Sequence, residues 1–171
     1  MTPAPLVAVI CGSRSDLPAL GGCFDTLDRY GIAWEASVIS AHRQPAALAT
    51  YVRDAEARGV RVFVGAAGMA AHLPGVLASL TARPVIGIPL DAGALGGADA
   101  LYSVVQMPPG VPVAAVAIGS AGARNAAHLA ARILALGDPG LAERVSALRA
   151  ELAGGAEVRI DPRDGPPTAR P

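Results

Sequence analysis

Apolar runs of strand length alternate along this chain with longer segments of helical spacing. Residues 6–11 form a continuous apolar run, and Gly12-Ser13-Arg14-Ser15-Asp16 follows. Pro18 then falls early in a helix, where its missing N–H is harmless, with Ser15 or Asp16 placed to cap it. That helix is expected to run to Tyr30 and stop at Gly31. Residues 34–39 predict a second strand, and Pro45 opens a second helix that ends at Gly59. Residues 60–67 predict a third strand, with four of eight positions β-branched or aromatic. A helix over 73–80 and a short strand over 84–89 come next, the strand's prolines lying near its ends.

The second half reads less cleanly. Residues 91–97 are glycine-rich and have no period, 98–105 fit a short helix, and 106–110 form a turn. Residues 111–118 predict a fifth strand, 119–122 a glycine hinge, and 125–135 a helix of alanine and leucine. Over 139–152, Leu141, Val145, Leu148 and Leu152 recur at spacings of three and four, which predicts a last amphipathic helix. No strand follows it, so a neighbouring subunit is one surface it could cover. The alternation predicts an α/β fold, a flavodoxin-like three-layer sandwich with a central parallel sheet and an extra C-terminal helix. One domain over 1–153 is expected, with a polar, proline-rich tail at 154–171 left disordered.

Composition narrows the partners. Only 16% of residues are charged and the formal net charge is zero, with no basic stripe. Nucleic-acid binding is not expected. So small a charged fraction also suggests that part of the surface is covered in an oligomer. Cys11 and Cys23 fall in an apolar run and a predicted helix, as buried thiols rather than a disulfide. No apolar run approaches the roughly 20 residues of a membrane span. The first residues carry no basic flank, so no signal peptide and a cytoplasmic location are expected.

Three strand-to-helix junctions carry the candidate chemistry. In Gly12-Ser13-Arg14-Ser15-Asp16, small residues precede a helix N-terminus, an arrangement that binds anions. Asp16 suits a ribose diol as a two-lone-pair acceptor, and suits an N-cap equally well. In Ser40-Ala41-His42-Arg43, the guanidinium can hold a phosphate in a bidentate fork. His42 can both give and take a proton near neutrality, or serve as a structural hydrogen-bonder. In Gly65 to Gly75, small residues let a ligand approach the backbone, and His72 either touches it or orients the loop. His128, inside a predicted helix, reads as structural. No metal-ligand spacing, Walker A pattern, G-x-G-x-x-G fingerprint or Gly-x-Ser-x-Gly elbow is present. From the residues alone, this is a binder of a small phosphorylated, ribosylated ligand with one candidate acid–base histidine.

Taken together and in order, Gly12-Ser13-x-Ser15-Asp16, Ser40-Ala41-His42-Arg43-x-Pro45 and Ala70-Ala71-His72-Leu73-Pro74-Gly75 resemble the 5-(carboxyamino)imidazole ribonucleotide mutase family. Pro84 to Pro89, Ser103 to Pro108, Gly110 to Ala114 and Asn125-Ala126-Ala127 extend the likeness over about residues 6–138. The resemblance implies a homo-octamer with active sites at subunit contacts and no metal or organic cofactor. The reaction it implies converts N5-carboxyaminoimidazole ribonucleotide to 4-carboxy-5-aminoimidazole ribonucleotide. It assigns His42 as the acid–base residue, and Ser13, Asp16, Ser40 and Arg43 as nucleotide-binding positions. The backbone at Ala67 and Gly68, with His72, lines the carboxylate or CO2 pocket. Arg43 and the Ala70–Gly75 run match the mutase branch; a second branch carboxylates aminoimidazole ribonucleotide directly with CO2, and a non-catalytic nucleotide-binding module is the remaining reading. Met69 stands where the family most often has glycine, and Gln44 where threonine is usual.

Overall fold

Five parallel strands in the order β2-β1-β3-β4-β5 form the centre of the computed structural model, which describes residues 3–154. The strands are β1 (Val7–Cys11), β2 (Trp34–Val38), β3 (Val62–Gly68), β4 (Val85–Leu90) and β5 (Ala114–Ala115). Parallel neighbours need crossovers. Helices α1 (Leu17–Arg29), α2 (Pro45–Arg58), α3 (Leu73–Leu80) and α4 (Ala98–Val105) supply them, and α5 (Gly119–Ala135) and α6 (Pro139–Ala153) follow the last strand. This is the flavodoxin-like architecture expected.

Successive strand side chains point to opposite faces, and the two faces are buried separately. Val7, Val9, Cys11, Val62, Val64, Ile86 and Ile88 pack under α1, α5 and α6. Ala8, Ile10, Phe63 and Val85 pack under α2 and α3. Ala123, Ala126, Ala127, Ala130 and Ala131 are fully buried along α5. Their small side chains let α5 lie close against the sheet and α1. Cys11 and Cys23 are free and buried. Among the described residues no helix is long and apolar enough to cross a membrane.

Several expectations need correction. The third strand begins and ends later than 60–67, and β2 stops at Val38. The fifth strand shrinks from 111–118 to two residues that pair with Ile86 and Gly87. Pro112 has no N–H to give a ladder, and the strand has a neighbour on one side only. The expected hinge at 119–122 is instead the first turn of α5. Glycine is needed there for packing, since a Cβ on Gly122 would lie 1.7 Å from the Ala117 carbonyl oxygen. Finally, α6 covers its own chain: Leu141 and Leu148 are buried in the α1–α5 core. Of the expected tail, only Gly154 lies within the described residues, as the cap of α6.

Candidate active site

In a 2-1-3-4-5 sheet the crossovers diverge between β1 and β3, and ligands gather at the carboxyl ends beside that point. A cleft of about 300 Å³ lies there. The ends of β1, β2 and β3 line it, so the three junctions singled out in the sequence meet in one place. Ser13, Asp16, Ser40, His42, Arg43, Ala67, Gly68 and His72 all border it. The first turns of α1, α2 and α3 follow these junctions, so three positive helix ends face the cleft.

Each junction is shaped by its own side chains. After β1, a short 3₁₀ turn (Arg14–Asp16) precedes α1. The Ser15 N–H donates to Ser13 Oγ at 3.3 Å, and the Ser13 N–H donates to Asp16 Oδ2 at 3.0 Å. This reciprocal pair is a capping box. Asp16 therefore fixes the turn while bordering the cleft, its Oδ1 accepting from the Ser15 hydroxyl at 3.4 Å. The Cys11 thiol donates to the Ser13 carbonyl at 3.3 Å. Burial, reinforced by the Asp16 charge, pushes its pKa to about 11. At neutral pH it is a protonated thiol, unsuited to act as a nucleophile.

After β2, Ser40 is buried and its hydroxyl accepts from the Arg43 N–H at 3.3 Å. The Gln44 N–H donates to the Ser40 carbonyl at 2.8 Å, and Gln44 Oε1 accepts from the Ser40 N–H at 3.4 Å. Gln44 thus clasps the turn that holds His42 and Arg43 outward, ahead of Pro45 in the first turn of α2. Arg43 reaches back with Nη2 to the Gly12 carbonyl at 3.4 Å. It forms no ion pair with any carboxylate among the described residues, so its charge is available to a ligand.

After β3, His72 occupies the N-cap position of α3 without a capping bond from its side chain, and its ring meets that of His42 from β2's junction. His42 Nε2 and His72 Nδ1 are 2.7 Å apart, with the rings at 89°. A hydrogen bond between two ring nitrogens requires one with a hydrogen and one without. The two facing nitrogens are therefore in complementary states, one donating to the other, and the bond ties the two rings together. Gly68 brings β3 against the loop after β4: a Cβ there would lie 2.5 Å from Ala92 Cβ.

Ala92, Ser15, Ala41, Met69 and Ala70 also line the cleft and were not assigned from sequence. Ala92 follows the carboxyl end of β4, and the strand-end rule that marked the other junctions could have found it. His128 is remote, with Nδ1 2.8 Å from the Tyr30 hydroxyl, as its structural reading expected. Among the described residues no group of three or more His, Cys, Asp and Glu is placed to hold a metal ion.

Fold and cleft together define an α/β protein with a guanidinium and an imidazole pair at its topological switch point. A family model described as AIR carboxylase matches residues 6–154, and the chain belongs to that family. It is 48% identical to the N5-carboxyaminoimidazole ribonucleotide mutase of Pseudomonas aeruginosa, over 93% of this chain and 98% of that protein. It is 50% identical to the protein of the same name from Pyrococcus horikoshii, over 82% of this chain and 78% of that one. Among solved structures, Treponema denticola PurE superposes with a TM-score of 0.79 at 29% identity, covering 87% of this chain and 92% of that one.

Proposed function

We propose that this chain is an isomerase of purine biosynthesis, converting N5-carboxyaminoimidazole ribonucleotide to 4-carboxy-5-aminoimidazole ribonucleotide. The observation that carries the reading is the meeting of Arg43, without a carboxylate partner among the described residues, with the His42–His72 pair in one cleft. The names of relatives near half identity support it.

Arg43 takes the phosphate in a bidentate fork, and the Ser13 turn and helix ends add N–H donors and positive potential. Asp16 accepts from the ribose hydroxyls. Ser40 holds the turn that presents Arg43. In the first step the carbamate C–N bond breaks; its electron pair stays on nitrogen, which takes a proton from His42 as CO2 forms. In the second, the electron-rich ring carbon attacks CO2, forming the C–C bond, and its proton returns to His42. Atoms and charge balance, because the proton given is the proton recovered. His72 orients the His42 ring and, with the Ala67–Gly68 backbone, borders the CO2 position. Holding CO2 beside the ring carbon makes the second step effectively intramolecular, worth up to about 7–11 kcal/mol in favourable cases.

The test is direct assay of the purified protein with the carbamate substrate, without ATP or added bicarbonate. Isomerisation supports the proposal, and its absence removes it. The family model's own description favours one other reading, carboxylation of aminoimidazole ribonucleotide by CO2. Turnover of that nucleotide with bicarbonate, but not of the carbamate, would establish it instead. The proposal includes a cytoplasmic homo-octamer without nucleic-acid or membrane partners. The low charged fraction and the exposed Tyr102 and Val105 on α4 support an assembled form. Sedimentation at assay concentration checks the subunit number.

A further inference from the structure

Asn125 and His128 belong to α5 and take no part in the cleft. With Leu129 and Arg132 they recur at spacings of three and four, so all four share one face of the helix. Val145, Arg149 and Leu152 share a face of α6 in the same way. The two faces meet around a second cavity of about 420 Å³, which Tyr30 and Val116 complete and which has no residue in common with the cleft. Among the described residues no Asp or Glu borders it. Glu151, on the same helix as Arg149, is tied instead to Arg29 at 2.8 Å. Arg132 and Arg149 are exposed and form no ion pair among the described residues. The Tyr30 hydroxyl meets His128 Nδ1 at 2.8 Å, which leaves Nε2 without a partner among those residues. Burial, with the positive charge of Arg132 and Arg29, holds His128 below its ordinary pKa.

We infer that this cavity between α5 and α6 is a second ligand site, built for a phosphate monoester that carries an apolar or planar body. The inference goes beyond the isomerase reading and does not depend on it. Two guanidinium groups on one cavity, with no acid between them, repel each other, and a bound anion offsets that repulsion. The arginine fork takes two phosphate oxygens at once, which a lysine ammonium does not. The Asn125 amide and His128 Nε2 can add hydrogen bonds beside the two arginines. Val116, Leu129 and Val145 supply an apolar wall for the rest of the molecule. A bare inorganic anion would leave that wall in water, so the whole ester is the better fit. Small-molecule sites are made this way, from an apolar hollow with a few convergent polar groups.

The test is calorimetric titration of the full chain with inorganic phosphate and with adenosine monophosphate. The Arg43→Ala protein is used, so that the phosphate position in the cleft lacks its anchor. Both probes are expected to bind, the nucleotide more tightly. Arg132→Gln and Arg149→Gln, each in that background, should weaken the nucleotide by about 10-fold or more, the loss of a charge-assisted pair. Arg124→Gln, on α5 but away from the cavity, should bind as its parent does. Circular dichroism checks that each variant is folded. No saturable binding to the Arg43→Ala protein overturns the inference. So does nucleotide affinity untouched by both glutamine variants, or weakened as much in Arg124→Gln. A nucleotide bound no more tightly than phosphate overturns the ligand class.

Discussion

Replacing Gly68 by alanine puts a methyl group where Ala92 already stands. The new Cβ would lie 2.5 Å from Ala92 Cβ and 3.5 Å from the Leu90 carbonyl oxygen. Carbon atoms pack at about 3.5–4.0 Å, so the two segments must part by roughly 1 Å or more. The atom met is a Cβ fixed to the backbone, so no side-chain rotation relieves it, and the loop after β4 must shift. Overpacking of this kind costs about 1–3 kcal/mol. For a chain of this size that is a fall in Tm of roughly 2–12 °C. Activity should suffer more, because a displacement near 1 Å in a reacting geometry can cost about 10²-fold in rate. Steady-state kinetics with differential scanning calorimetry measures both effects. The double variant Gly68→Ala with Ala92→Gly removes the colliding atom and should recover most of each. Wild-type kcat/KM in the single variant, or no recovery in the double, would refute the packing argument.

Two further predictions concern charge. Arg43→Ala should raise KM with kcat largely kept, because it removes charge-assisted hydrogen bonds to a remote phosphate. The loss is about 1.5–3 kcal/mol, or roughly 10- to 150-fold; an unchanged KM in initial-rate kinetics removes Arg43 from the phosphate site. His128 is held below its usual pKa by burial, and further by Arg132 and Arg29. The unfolded chain thus binds this proton at a pH where the folded chain does not. Stability is fully present above the unfolded value near 6.5 and falls as pH drops through it, levelling below the folded value. His128→Gln should flatten the decline of Tm between pH 7 and 5; a decline identical to wild type contradicts the assignment.

Punctuation decided how much of this was legible. Helices α3 and α4 fall on their expected boundaries because Pro74, Pro84, Gly97 and Pro108 bracket them in the sequence. The glycines at 119–122 misled for a physical reason. Gly122 is small because Ala117's carbonyl passes it, and sequence does not separate that cause from flexibility. The junctions after β1 and β2 were legible because an apolar strand there gives way abruptly to polar residues; Ala67 and Gly68 were marked only by the small residues of their junction and by the family resemblance, and all eight candidates border one cleft. The partnerships among them were not legible. His42 and His72 lie thirty residues apart, and only the placement of β1 between β2 and β3 turns their rings together. Gln44 reads as a departure from its family, yet its amide performs a local task, clasping Ser40.

The central claim is that one imidazole gives and recovers the proton, and His42→Asn tests it most directly. Asparagine keeps a polar group of similar reach but cannot exchange a proton near neutrality. With N5-carboxyaminoimidazole ribonucleotide, kcat should fall by about 10²–10⁴-fold, while calorimetric titration shows nucleotide binding within a few-fold of wild type. Near-normal turnover in that variant would contradict the account.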